Sequence, residues 1–243
     1  MWNDLLNRWR EQDLVSQMAE SFDQMLEHTC WMFDHASAAL LGTQSVQDVR
    51  GPLYARDKVV NRLEGRIREL IARHLRMDPS LGLGVSLALV AMTKDAERIG
   101  DYSKNLFEVA ENVSGDLRDT ALFGRLEPIR QGVREHFDFV REALRNSDFE
   151  LAERVRDEKR ALQARCDAII TVVLRGETDV AAALAVAAAL LARYYKRVEA
   201  HLGNIVEILV TPVGAGGLRS AENAAAEATA RSDVPATPVA KEE

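Results

Sequence analysis

Residues 94–108 read KDAERIGDYSKNLFE, and residues 193–207 read RYYKRVEAHLGNIVE. At this constant offset of 99, Lys94 meets Arg193, Arg98 meets Arg197, Asn105 meets Asn204 and Glu108 meets Glu207. The apolar Ile99, Leu106 and Phe107 meet Val198, Ile205 and Val206. Asp57 and Asp157 recur at nearly the same offset. Self-similarity at a fixed period marks a tandem repeat. Two unrelated amphipathic helices would share apolar spacing, but not a polar Asn at the offset of six other compatible positions.

Outward from this pair, apolar residues fall at alternating spacings of three and four, which predicts helices. The first helix carries Val15, Met18, Phe22, Met25, Thr29, Met32, Ala36 and Ala39, with Gly42 as a stop and Pro52 as a restart. The second carries Val60, Leu63, Ile67, Leu70 and His74 and ends at the Met77–Ser80 stretch around Pro79. The third carries Leu89, Met92, Ala96, Ile99, Ser103, Leu106, Ala110 and Val113, closed by Ser114 and Gly115, with Asp116 placed to cap the next. The pattern then returns through Leu122 to Leu144, Ala152 to Val173, and a sixth helix ending near Thr211. Ser147 to Glu150 reads as a capping box for the fifth helix, and Thr178 and Asp179 as the cap of the sixth.

No stretch alternates with the period of a strand. The expected fold is all-α: two tandem three-helix bundles, spanning residues 1–115 and 116–211, then a disordered tail over 212–243.

A composition of 47% hydrophobic and 28% charged residues supports a sizeable core under a charged surface. The formal charge of −7 argues against a general nucleic-acid binder, whose phosphate contacts need clustered cations. Cys30 and Cys166 lie far apart within apolar helical segments, which predicts buried free thiols in a reducing, cytoplasmic setting. No apolar run approaches the roughly 20 residues of a membrane span. Trp2, Leu5, Leu6 and Trp9 form a short amphipathic stripe, expected to pack on the bundle or a second subunit.

Chemistry concentrates beside the apolar stripes of helices two and three. Glu97 and Asp101 stand one turn apart, and Asp57, Asn61 and Glu64 form a matching ridge on the second helix. If these helices make a hairpin around Pro79, residues level with each other have numbers totalling about 158. That places Asp57 level with Asp101, and Asn61 level with Glu97. Carboxylates so close repel one another, and a hard cation such as Mg²⁺, Ca²⁺, Mn²⁺ or iron relieves this. The plainer reading is local pairing with Arg62, Arg66, Lys94, Arg98 and Lys104, as on most solvated helix faces.

The second copy has Lys196 and Ala200 where the first has Glu97 and Asp101. The same hairpin argument, centred on Gly176 and Glu177, predicts an Asp157–Lys196 salt bridge. A weaker metal site at Glu153 and Asp157 stays open. No HExxH or HxxxH zinc pattern, phosphate loop or Ser/His/Asp set is present, so no catalytic residue is assigned. A ferritin-like di-iron enzyme needs Glu-x-x-His pairs, and none of the five histidines has a Glu three positions before it.

Glu97-Arg98-Ile99-Gly100-Asp101 with Asn105, together with Asp57, Asn61 and Glu64, resembles the paired motifs of the PhoU family. Arg197, Val198, Asn204 and Ile205 resemble the weaker second-copy signature, and the likeness spans roughly residues 12 to 210. The resemblance implies paired three-helix bundles, often dimeric. It also implies a multinuclear metal cluster, of iron or another hard divalent or trivalent cation, on the carboxylates of such motifs. The implied function is a non-catalytic negative regulator of phosphate uptake and the phosphate-starvation response. The implied partners are the phosphate ABC transporter and its sensor histidine kinase. Residues 79–86, PSLGLGVS, lack the Asp-Leu-Arg element common at this place in the family. A branch serving a sodium–phosphate cotransporter or another ion transporter is the alternative, and a metal-free helical adaptor is a further one.

Overall fold

The structure, a computed structural model, describes residues 13–77 and 83–210. The Trp2–Trp9 stripe, the turn at Pro79 and the tail from residue 211 lie outside the described residues. Six α-helices run in order among the described residues: α1 (Asp13–Leu40), α2 (Val46–Met77), α3 (Leu83–Asn112), α4 (Phe123–Asn146), α5 (Phe149–Leu174) and α6 (Ala182–Val210). A short 3₁₀ turn, Leu117–Asp119, precedes α4.

The apolar spacing decides which face each helix buries. All eight positions from Val15 to Ala39 are buried on α1, as are Val60, Leu63, Ile67, Leu70 and His74 on α2. Leu126, Ile129, Val133, Phe137 and Val140 do the same for α4, and Cys30 and Cys166 are buried free thiols. Burial pushes both thiols up to about 12, so they stay protonated and unreactive at neutral pH.

Several helix ends differ from their sequence reading. Pro52 lies inside α2, which begins six residues earlier at Val46 behind Ser45. As the seventh residue it lies past the first turn, so its missing N–H costs the helix one bond, to the Asp48 carbonyl. Asp116 caps the 3₁₀ turn, accepting from the Arg118 amide at 2.9 Å, and α4 starts later. Asp148 alone caps α5, through Leu151 N–H at 3.0 Å, while Ser147 ends α4 in the left-handed region at φ 54°. Gly42 and Gly176, at φ 64° and 67°, end α1 and α5 where glycine costs no side-chain clash.

Each set of three helices packs mutually: α1, α2 and α3, then α4, α5 and α6. The two sets join through α1 against α4 and α3 against α6, leaving α2 and α5 on the outside. The α3–α6 seam is pseudo-symmetric. Asp95 accepts from His201 at 2.6 Å, and Tyr102 and Tyr194, the residues equivalent to His201 and Asp95 at the 99-residue offset, have ring centroids 6.2 Å apart. Along α1 and α4, Asp34 pairs with Arg134 at 2.7 Å, and Asp23 pairs with Arg141 and Arg145 at 3.1 and 2.7 Å. Burial alone would raise Asp23, but the two guanidiniums hold its carboxyl below the usual range.

Phe33 is fully buried at this junction, its ring 5.5 Å from those of both Phe137 on α4 and Tyr195 on α6. Phe33→Ala should therefore lower unfolding stability by about 3–5 kcal/mol in urea denaturation, and Phe33→Leu by about 1 kcal/mol.

Candidate functional site: the acidic face of α2 and α3

The hairpin of α2 and α3 brings Asp57 and Asp101 to one place. Both carboxylates hold the same ammonium: Lys104 Nζ lies 2.8 Å from Asp57 Oδ1 and 3.0 Å from Asp101 Oδ1. Lys104 reaches both because it sits three residues after Asp101 on α3, on the ridge facing α2. Burial alone would lower the lysine, but hydrogen bonds to the two aspartates outweigh it and raise its pKa above the ordinary value.

The other acids are paired along their own helices. Glu97 accepts from Lys94 at 2.7 Å, and Arg98 Nη1 donates to Asp101 at 3.4 Å. Glu64 is mostly buried and paired with Arg68 one turn on, while Asn61 is exposed. The two ridges thus share a surface, but only Asp57 and Asp101 converge on one point. Among the described residues, no group of three or more His, Cys, Asp or Glu side chains is placed to hold a metal ion. As folded, these donors fit a salt-bridge network with Lys104 as its central cation, and do not fit a multinuclear cluster.

The second repeat departs from expectation. Lys196 pairs with Asp167, at 2.6 and 2.7 Å from its two oxygens, and not with Asp157. The hairpin turns later than Gly176 and Glu177 because α6 starts only at Ala182. That shift moves the level partner by about three residues, whereas Asp167 lies ten residues beyond Asp157, about 15 Å along α5, and the long Lys196 side chain reaches it off level. Glu153 and Asp157 are both well exposed, beside Arg156 at 4.0 and 3.5 Å.

Sequence reasoning missed the most buried polar group of this repeat. His136 of α4 contacts Glu199 of α6 at 2.8 Å and Glu158 of α5 at 3.0 Å. Its three residues come from three helices with no shared motif. The one available signal was a lone His and a lone Glu, each on an apolar stripe.

Removing the Lys104 ammonium leaves two facing carboxylates. Lys104→Met should destabilise the protein by about 1 kcal/mol at low salt, with the loss shrinking at high salt. Because the folded lysine pKa is raised, its contribution is complete below the ordinary value near 10.5 and fades only as pH rises through the folded value. The Lys104→Met deficit, read by thermal melts, should thus be constant from pH 7 to 9. Combined with Asp101→Asn it should fall short of the sum of the single losses.

Residues 22–110 match the PhoU domain family. No curated protein sequence matches the chain. Among solved structures, the fold is similar to that of PhoU from Pseudomonas aeruginosa, with a TM-score of 0.64 at 18% identity. The similarity covers 86% of this chain and 97% of that one. The sequence match spans α1 from Phe22 through α3 to Ala110 and so contains the whole acidic face, while the fold match extends over both repeats. The first repeat thus carries a segment similar to the PhoU domain family, inside a fold similar to that of a solved PhoU.

Proposed function

We propose that this protein is a non-catalytic regulatory adaptor of phosphate transport, acting as a negative regulator of phosphate uptake and of the starvation response. The observation that carries the reading is the acidic face: Asp57 of α2 and Asp101 of α3, both inside the PhoU-matched segment, held together at one surface. A fixed pattern of charge on a rigid helix pair is what a protein partner can recognise. The proposed partners are the phosphate ABC transporter and its sensor histidine kinase, or a sodium–phosphate cotransporter, met from the cytoplasmic side. No helix among the described residues is long and apolar enough to cross a membrane.

A homodimer belongs to the same proposal. Leu83, Leu87 and Val90 stand at spacings of four and three along α3, all exposed, and offer apolar surface to a second copy or a transporter. The metal enters in reduced form. Asp57 and Asp101 would hold one hard cation, iron or another, with Lys104 displaced. Glu97 and Asn61 flank the place, and Glu64 keeps Arg68. The ion would supply positive charge to the face in place of the ammonium.

Deleting the protein should derepress phosphate uptake in phosphate-replete cells, and Asp57→Lys with Asp101→Lys should fail to restore repression while still folding. A pull-down from replete cells that recovers neither a phosphate transporter nor a kinase would count against the reading. Elemental analysis after chelator-free purification tests the ion separately: about one metal per chain in the parent, none in Asp57→Asn/Asp101→Asn.

A further inference from the structure

The second repeat holds a buried histidine between two carboxylates, and neither the acidic face nor the family match uses it. His136 is 1% exposed and Glu199 is fully buried. Nδ1 of the ring lies 2.8 Å from Glu199 Oε1, and Nε2 lies 3.0 Å from Glu158 Oε2. One imidazole therefore ties α4 to both α5 and α6. Among the described residues, the first repeat has no counterpart. Gly100 stands where Glu199 does at the 99-residue offset, and Thr29 and Met32 of α1 fill the space beside it.

Proton counting constrains the state of this group. Each ring nitrogen faces a carboxylate oxygen, and a neutral imidazole donates from one nitrogen only. Two good contacts need two protons among the three side chains. Either His136 is an imidazolium, or Glu199 is neutral and donates to Nδ1. Both forms hold one proton more than a neutral ring between two carboxylates. When that proton leaves, the ring keeps one N–H, and buried Glu199, whose Oε2 already has no hydrogen-bond partner, holds it at Nδ1. Nε2 then faces Glu158 with a lone pair, and that half-exposed carboxylate turns to water, so the α5 contact opens.

We propose that His136, Glu158 and Glu199 form a proton-dependent latch that ties α4 to both α5 and α6 at neutral and mildly acidic pH and releases the α5 tie as pH rises.

The charged groups around it set the direction. On α5, Arg154 donates to Glu158 at 2.8 Å and lies over the Phe139 ring of α4, with Glu135 adding negative charge beside it. Lys159 of α5 packs against Gly203 of α6, and its charge favours the ionised form of Glu199. The Cys166 thiol of α5 stays neutral. Burial alone would lower His136, but its bonds to Glu199 and Glu158, with their charges, outweigh burial and raise it. Burial raises Glu199 in the same sense. Groups with raised folded values stabilise below the unfolded value and lose that contribution as pH rises through the folded one. For His136 the window therefore opens above the ordinary value of about 6.5. Arg154 and His136 lower Glu158, which limits the latch only at the acid end.

The test uses the full chain. Ring C–H resonances of His136 followed by NMR should titrate above the ordinary histidine value. Amide exchange in α5, corrected for intrinsic base catalysis, should accelerate about tenfold or more between pH 6 and 9. His136→Gln should flatten that rise, and His201→Gln, which removes the α3–α6 seam contact, should leave it. Should His136→Gln fail to fold, Glu199→Gln replaces it, since an amide fills the contact without a shared proton and should also flatten the profile. A His136 titration at or below the ordinary value, or an undiminished pH rise in either variant, overturns the latch.

Discussion

Phe33, Phe137 and Tyr195 meet at one point, where α1 reaches across to α4 and α6. A three-helix set of this size buries one stripe on each helix but leaves the inward backs of α1 and α3 apolar. Those surfaces are covered only because the second set presents α4 and α6 to them. The hydrophobic requirement to close both backs at once makes the two repeats a single core. The outer helices α2 and α5 then keep polar faces toward solvent, and that is where charge chemistry can gather.

On the first repeat, that charge forms a face with two convergent aspartates and an internal cation. Like carboxylates held close by a hairpin need neutralising. Lys104 supplies the charge from the same ridge, with Lys94 and Arg98 covering Glu97 and the outer side of Asp101. The face is thus organised without being acidic in sum, and its pattern, more than its net charge, is what a partner meets. The second repeat has lost this arrangement and holds its polar group inside, where His136 and Glu199 are shielded from water. The repeats share helices and register but place ionisable chemistry on opposite sides of the surface.

Electrostatics also separates what is structural from what is exposed. Asp23, Asp34, Arg134 and Arg141 stitch α1 to α4 at the margin of the core. The partly buried, bidentate Arg141–Asp23 pair is worth more than isolated surface pairs, which contribute ~0–1 kcal/mol. The Arg156 contacts to Glu153 and Asp157, all on α5 with both acids exposed, are of the weaker kind.

The apolar spacing by itself determined the six helices, their buried faces and the buried state of both cysteines, because a 3.6-residue period can be satisfied in only one way. The 99-residue repeat pointed to two copies of a three-helix unit. Hairpin counting placed Asp57 beside Asp101 because α2 and α3 are long, uninterrupted helices. The same counting failed for Asp157 and Lys196, since the turn lies later than counted and the lysine reaches off level to Asp167. Only the tertiary structure decided that Lys104 would stand between the two aspartates, and that His136, Glu158 and Glu199 would meet inside the second repeat. Rotamer choice and the approach of three helices settle such contacts, and no local spacing encodes them.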